Sequence, residues 1–422
     1  MKRITIFAAV SILSFTLFSQ QVSEETIVIN VEVPVRVFQG SAFVEDLTLS
    51  DFEVFEDGVP QRIEAVYLVK KRSIERREEN KRFVPETARS FYLFFEINEY
   101  TSKLGEAVDY FVHNVLVPGD HLTVVTPMLT YRLKSQTLEV LSKEEIVKQF
   151  KGILRKDALI GSSEYRHMID ELSRLARALS ASFATFEQSG EIVMDGTTVV
   201  QNPAKFADSL VSSEYEGMAI EEQLERYREM LGNLESMRTT DQQKFIEFAN
   251  LIKDKEGQKY IFMFYEKEYI PQVDPKILNQ YISLYQDRPT ILHTVTGVFD
   301  FYRRDINLNV EEIKQAYADS SVSIHFLYIS KPAEFVYGVR MEEHSEDLFK
   351  AFWEMAKATG GFSGSSSDSS FLFRKALDSS ENYYLLYYSP LKYQSDGQFR
   401  EIKVRVKDKN YRVVHRLGYF AR

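Results

Sequence analysis

Two glutamates stand out among the residues that could do chemistry, because each directly follows an apolar run. Glu96 follows residues 91–95, and Glu266 follows residues 260–265. Two carboxylates about 5 to 10 Å apart in a cleft are the arrangement that glycoside hydrolases use. Carboxylate oxygens also suit hard divalent cations. A third interpretation is that both are solvated acids at the edge of a sheet.

The other polar residues do not form a recognisable catalytic motif. The seven histidines include no pair at the i, i+4 spacing of a helical zinc site, and the chain has no cysteine. His325 lies within an apolar run and is predicted to be a core residue with satisfied hydrogen bonds. The segment 360–364 lacks the Gly-x-Ser-x-Gly spacing of a nucleophile elbow. The sequence therefore gives no specific indication of an enzyme.

The two glutamates belong to a middle section that predicts a parallel sheet. Its strands are apolar throughout, as expected for strands buried on both faces, and they comprise residues 91–95, 122–126, 260–265 and 324–329. Helical periodicity lies between them, near residues 104–115, 143–153, 275–285, 310–318 and 347–359. Strands that alternate with helices favour an α/β fold. We expect this domain to span residues 89–380.

Both ends of the chain alternate apolar and polar residues, as half-buried antiparallel strands do. This pattern occurs in residues 21–88, where Asp57-Gly58 is a hairpin turn signal, and again in residues 381–422. Basic residues between 70 and 82 are interleaved with glutamates and predict a solvated linker. The two ends therefore predict antiparallel sheet material that flanks the α/β domain.

A long helical stretch interrupts the α/β pattern between its second and third buried strands. Met168, Leu172, Leu175 and Leu179 recur at three- and four-residue steps, and similar stripes follow. Such stripes usually pack in a core, although they could also face a partner. We expect residues 164–255 to form a helical insertion.

The N-terminus has the three parts of a secretory signal peptide. Lys2 and Arg3 precede an apolar run, residues 4–18, and a polar flank follows. The run is shorter than the roughly 20 residues of a membrane-spanning helix, although an uncleaved anchor is the alternative. We expect residues 1–20 to be removed and the exported protein to be periplasmic or secreted, with no further transmembrane segment. Its acidic charge, formally −10 for the whole chain, argues against nucleic acid as a partner.

Several motifs, in this order, resemble those of exported bacterial proteins with a domain related to von Willebrand factor A. They are the hairpin 47–61, Gly257-Gln258-Lys259 before an apolar strand, Ala358-Thr359-Gly360-Gly361 at a helix end, Tyr383 to Pro390, and Gly418-Tyr419. The resemblance implies a Rossmann-like von Willebrand factor A domain with a helical insertion. It also implies a small antiparallel β-sandwich formed from both chain ends, and a metal-ion-dependent adhesion site.

The resemblance implies that Glu96, Asn98, Ser163 and Glu266 stand at the metal-ligand positions. The family's two aspartates are longer glutamates here, and Tyr100 replaces a serine. Mg²⁺ demands near-ideal octahedral geometry, whereas Ca²⁺ tolerates looser cages. The resemblance thus implies a degenerate site, with Mg²⁺, Mn²⁺ or Ca²⁺ as the cofactor that it could hold.

Three hypotheses of function remain open at this point. The first is a non-catalytic binding or adhesion module, whose partner is an unidentified protein or a ligand of the cell envelope. The second is a structural subunit of an assembly that has lost its metal site. The third is an envelope-acting hydrolase that uses Glu96 and Glu266. A raised carboxylate pKa without a cation would favour the enzyme, and a cation-dependent partner would favour adhesion.

Overall fold

The computed structural model describes residues 29–134, 136–190, 215, 218–238, 242–303, 308–336 and 339–422 of the 422-residue chain. The expected signal peptide, residues 1–20, lies outside these ranges, as does part of the expected helical insertion. Within the described ranges, no helix is both long and apolar enough to cross a membrane.

The strands of the described residues are β1 (Val31–Gln39), β2 (Ala42–Phe43), β3 (Phe52–Glu56), β4 (Val59–Gln61), β5 (Ile63–Lys70), β6 (Ser73–Glu79), β7 (Arg89–Glu96), β8 (His121–Val125), β9 (Thr130–Leu133), β10 (Gln258–Glu266), β11 (Tyr269–Gln272), β12 (Val322–Ile329), β13 (Arg340–Glu343), β14 (Ser363–Ser366), β15 (Asn382–Tyr388), β16 (Phe399–Val406), β17 (Arg412–His415) and β18 (Gly418–Phe420).

The α-helices are α1 (Ser102–Tyr110), α2 (Thr137–Val140), α3 (Lys143–Gly161), α4 (Ser163–Gly190), α5 (Ile220–Arg238), α6 (Gln242–Lys253), α7 (Pro275–Leu284), α8 (Pro289–Tyr302), α9 (Val310–Asp319), α10 (Glu346–Ala358) and α11 (Ser369–Glu381). A 3₁₀ turn, Leu49–Asp51, precedes β3, and a π-helical turn, Phe111–Val115, extends α1.

A mostly parallel sheet has the strand order β14-β12-β10-β7-β8-β9, in which β9 alone runs antiparallel to its neighbour. Alternate side chains of β7 enter two different cores. Phe91, Leu93 and Phe95 pack against α1, α3 and α11, whereas Tyr92 and Phe94 pack against α6, α9 and α10. Burial on both faces explains why these strands are apolar throughout. The prediction of a mixed α/β fold is confirmed.

Strands from both ends of the chain form two antiparallel sheets. In the sheet β17-β1-β15-β5-β6, Val33 of β1 lies opposite Leu386 of β15. In the sheet β18-β16-β3-β4, Val54 lies opposite Val404. All four side chains belong to one apolar core. The beginning and the end of the described chain are therefore neighbours in space.

The basic segment that follows β5 is a strand, so its interpretation as a linker is wrong. Residues 73–79 form β6, which pairs with β5 at the open edge of its sheet. Side chains of β6 alternate between exposed and half-buried. An edge strand tolerates many charges, because it has a single neighbour and because charge there opposes edge-to-edge aggregation.

A layer of helices combines parts of the chain on either side of β10. Leu172 of α4, Leu278 of α7 and Val295 of α8 share one core. Ala249 of α6 instead packs against the parallel sheet. The packing therefore differs from the expected insertion, residues 164–255, since α6 covers the sheet while α7 and α8 join the helical layer. Periodicity indicates that a helix has a buried face, but not which surface that face meets.

The amino edge of the parallel sheet, where its strands begin, packs against the antiparallel sheet that contains β1. Buried Arg36 of β1 donates a hydrogen bond to the Gly360 carbonyl oxygen at 3.1 Å. Buried Arg416 donates a hydrogen bond to Ser321 Oγ, directly before β12. Hydrogen bonds of this kind join the two layers at the amino edge.

His325 is a buried residue of β12, as expected, but its hydrogen bonding is incomplete. Its Nδ1 atom accepts a hydrogen bond from the Phe362 backbone N–H at 3.1 Å. Its Nε2 atom has no partner within the described part of the chain. Burial holds the pKa of His325 well below its usual value, so the ring is neutral.

Candidate functional site

The carboxyl edge of the parallel sheet, where β7, β10 and β12 end, is open. A cleft of about 570 Å³ lies there, between the sheet and the helices α6 and α10, and we call it the edge cleft. Its volume is in the range of small-molecule and side-chain binding pockets. Carboxyl ends of parallel strands are where open α/β sheets generally bind their ligands.

Seven aromatic side chains form the walls of the edge cleft: Phe94, Tyr165, Phe245, Phe248, Tyr265, Tyr317 and Phe352. Phe94 and Phe248 meet edge to face, with ring centroids 5.4 Å apart. Phe245 and Phe352 also meet edge to face, at 5.6 Å. The first contact joins a strand to a helix and the second joins two helices, and both hold the walls of the cleft in place.

Exposed apolar side chains occur at or next to residues that line the edge cleft, and we call them the apolar rim. Met237 lines the cleft and is 42% exposed. The remaining members are Met128, Leu129, Leu159 and Ile160. They flank Pro127 and Gly161, which line the cleft. Large apolar side chains that cluster at the mouth of a pocket are typical of interaction surfaces.

Glu266 is buried at the end of β10, where it binds the loops that follow two other strands. Its Oε2 atom accepts a hydrogen bond from the Asn98 backbone N–H at 2.6 Å. Its Oε1 atom lies 2.8 Å from Nζ of Lys331, which follows β12. Ser162 Oγ donates to the Asn98 carbonyl oxygen at 2.9 Å. Glu266 and Ser162 thus fix the Asn98 backbone.

The Glu96 side chain leaves the sheet on the face opposite to Glu266. Glu96 pairs with Tyr265, and side chains alternate between faces along a strand, so Glu96 shares its face with Tyr265 and Phe94. Part of Glu96 is exposed at the mouth of the cleft, yet protein surrounds much of its carboxyl group. This burial, and secondarily the nearby Glu268, raises the pKa of Glu96 to about 7.

The structure brings together three of the four residues expected as metal ligands. Glu96, Asn98 and Glu266 all line the edge cleft. Ser163 does not, because its Oγ donates to the Ile160 carbonyl oxygen at 2.6 Å and its side chain is exposed. The preceding residue, Ser162, lines the cleft instead.

These donors do not fit a divalent cation. A cation of this class needs several oxygen ligands that converge on one point. The oxygens of Glu266 are already engaged by Lys331 and the Asn98 N–H, and the Lys331 ammonium would repel a second cation. Glu96 leaves the sheet on the other face, away from the oxygens of Glu266.

Sequence reasoning missed Lys331, Glu268 and Ser162 as parts of the site. Lys331 lies two residues after the end of β12, as Asn98 lies two residues after β7. A search of every residue that follows a buried strand would have found Lys331 and Glu268. Ser162 has no such signal, because the junction between α3 and α4 determines which serine turns inward.

No known family description matches this chain. No curated protein matches it either. Among solved structures, it is similar to the human COPII-coat protein Sec24c, with 7% sequence identity and a TM-score of 0.26. The similar region covers 84% of this chain and 46% of the Sec24c chain, so this chain spans less than half of that protein's length. Similarity at this level carries no argument about fold or function.

Proposed function

We propose that this chain is an exported, non-catalytic binding protein that engages a partner protein or a component of the cell envelope at the carboxyl edge. One observation carries the proposal: a cleft with aromatic walls has exposed apolar residues in its lining and next to it. A pocket with few polar groups, surrounded by apolar surface, is typical of a binding site.

The proposal includes a fold of the von Willebrand factor A type. It is supported by the parallel sheet with helices on both faces and by the sequence motifs. Within this proposal, the Lys331 ammonium stands beside Glu266 in the role that a bound cation has in the metal-ion-dependent site. Export is proposed from residues 1–20 alone, and N-terminal sequencing of the protein secreted by a bacterial host would test it.

One observation favours catalysis as a second candidate function, since a carboxyl group with a pKa of about 7 can act as a general acid or base. A hydrolase of the expected type needs a second, ionised carboxylate across the same cleft. Glu266 also lines the cleft, but it leaves the opposite face of the sheet and both its oxygens are engaged by the Asn98 N–H and Lys331. We therefore favour binding over hydrolysis.

Selection of a phage-displayed random peptide library on the immobilised protein tests the binding proposal. Selected peptides should bind the parent protein and lose most of their affinity for Met237→Asp, because a charge at the mouth opposes apolar contacts there. Leu391→Asp is the matched control, since Leu391 is an exposed apolar residue, 66% accessible, that does not line the cleft.

Equal binding of every selected peptide to the parent, to Met237→Asp and to Leu391→Asp would contradict the proposal. A library that yields no binders would favour the structural-subunit hypothesis instead. Release of reducing sugar or peptide fragments from purified cell-wall polymer, abolished in Glu96→Gln, would identify the hydrolase.

A further inference from the structure

The carboxyl group of Glu96 lies beside the aromatic walls of the edge cleft. Glu96 follows Phe94 by two residues on the same face of β7, and it pairs with Tyr265 of β10. Both of these rings belong to the walls. The cleft therefore combines a carboxylate with several aromatic faces at one position.

A carboxylate next to aromatic rings is the chemistry that recognises an organic cation. The faces of aromatic rings attract ammonium and guanidinium groups within about 6 Å. A carboxylate adds charge-assisted hydrogen bonds to the same groups. The apolar stems of lysine and arginine pack well against aromatic surfaces while their charged ends reach a polar partner.

The other charges of the edge cleft also favour a cation. Its lining includes three carboxylates, Glu96, Glu266 and Glu268, and one ammonium, Lys244. Lys331 pairs with Glu266. A partner's carboxylate would meet Glu96 and be repelled, whereas a cation would be attracted.

We propose that the edge cleft receives the side chain of a lysine or arginine from a partner protein, with the cationic end at Glu96 and the stem between the aromatic walls. This inference rests on the proposed binding function and specifies its ligand. A side chain, rather than a free amine, accounts for the apolar rim, because residues that flank the inserted side chain would cover Leu129, Leu159 and Met237.

The charged groups that face Glu96 are Glu268 from the segment after β10, Lys244 from α6, and the Glu266–Lys331 pair across the sheet edge.

The test uses a series of peptides, each with one central residue X between two leucines, where X is arginine, lysine, glutamine or glutamate. Dissociation constants would be measured by methyl NMR of the protein, with the methionine and isoleucine methyls of the cleft as reporters. We expect the arginine and lysine peptides to bind roughly tenfold more tightly than the glutamine peptide, and the glutamate peptide to bind most weakly.

The Glu96→Gln variant should lose roughly tenfold in affinity for the arginine peptide and almost nothing for the glutamine peptide. Glu99→Gln is the matched control, because Glu99 is exposed, lies three residues away and does not line the cleft.

Equal affinity for all four peptides, with all of them weakened by Met237→Asp, would overturn the cation inference and leave the binding function intact. Tighter binding of the glutamate peptide would overturn it in the same way. Binding of free arginine amide as tightly as the arginine peptide would overturn the assignment to a partner protein. Absence of binding by every peptide would contradict both the inference and the proposed function.

Discussion

The two edges of the parallel sheet use their charged residues in opposite ways. At the amino edge, Arg89 and Asp120 are almost fully buried and form a two-pronged pair, with contacts of 3.1 and 2.6 Å. At the carboxyl edge, Glu266 is similarly engaged, but Glu96 stands at the mouth of an open cleft. The Arg89–Asp120 pair is buried inside the protein, whereas the Glu96 carboxyl group stands at an opening.

The two edges also differ in what covers them. The antiparallel sheet covers the amino edge and supplies Arg36, which binds the Gly360 carbonyl. At the carboxyl edge, Glu266 holds the loops after β7 and β12 beside an open cleft. Under the proposed binding function, fixed loops would keep the surface preorganised and so reduce the entropy cost of binding.

The largest expected effect is at the amino edge. Asp120→Ala should reduce the free energy of unfolding by about 3 to 5 kcal/mol, because it leaves the Arg89 guanidinium buried without its partner. Urea denaturation followed by circular dichroism measures this effect. The control is Asp109→Ala. Asp109 pairs with Lys151, and both side chains are partly exposed, so the free energy of unfolding should fall by less than about 1 kcal/mol. Similar losses in the two variants would refute the assignment of the amino edge as a structural interface.

An intermediate effect is expected for Glu266→Gln. The amide keeps an acceptor for the Asn98 N–H but loses the charge that pairs with Lys331. We expect the free energy of unfolding to fall by roughly 1.5 kcal/mol. This is the lower end of the range for a hydrogen bond to a charged group, because Lys331 is partly exposed. The same urea denaturation measures it, with Glu99→Gln as the exposed control. A variant as stable as the parent would mean that Glu266 does not hold the loops.

The smallest effect on stability is expected for Glu96→Gln, and it should depend on pH. The folded-state pKa of Glu96 is about 7, above the ordinary value of 4.5, so the folded state binds more protons between these values. The parent should therefore lose stability relative to the variant as the pH rises from 5 to 8. Because Glu96 is exposed at the mouth, the difference should stay below about 1 kcal/mol. Parallel stability profiles for parent and variant would contradict this expectation.

Divalent cations should have no effect on stability. A ligand at about 100 times its dissociation constant raises the free energy of unfolding by about 2.7 kcal/mol, which shifts a melting curve visibly. We expect identical unfolding midpoints in EDTA, Mg²⁺, Mn²⁺ and Ca²⁺, since Lys331 already neutralises Glu266. A cation-dependent shift that disappears in the double variant Glu96→Gln/Glu266→Gln would restore the metal site.

Much of the fold could be predicted from the sequence, because it depends on local patterns. The apolar runs predict buried strands, and the Asp57-Gly58 turn has the positive φ values, 49° and 79°, that such a hairpin requires. The basic strand β6 was missed, since its charges resemble those of a solvated linker. The grouping of α7 and α8 with α4 depends on packing between distant segments, which periodicity does not report.

The candidate site was only partly predictable for a related reason. The positions of Glu96 and Glu266 after their strands were visible in the sequence. That their side chains leave opposite faces depends on the register of β7 against β10, in which Glu96 pairs with Tyr265. A shift by one residue would have placed the two carboxylates on one face. The register between parallel strands depends on the packing of distant segments and cannot be read from the sequence. The sequence therefore left open whether the two carboxylates share a metal ion or act together in catalysis.

The most direct test of this account is an NMR titration of the glutamate side-chain carboxyl carbons of the protein between pH 3 and pH 9. Signals of Glu96 and Glu266 would be assigned by comparison with Glu96→Gln and Glu266→Gln. The account predicts that Glu96 titrates near pH 7, as an available carboxyl group in the edge cleft. A Glu96 signal that titrates near the ordinary value of 4.5 would contradict it, because the carboxyl group would then be fully solvated or already paired with a cation of the protein.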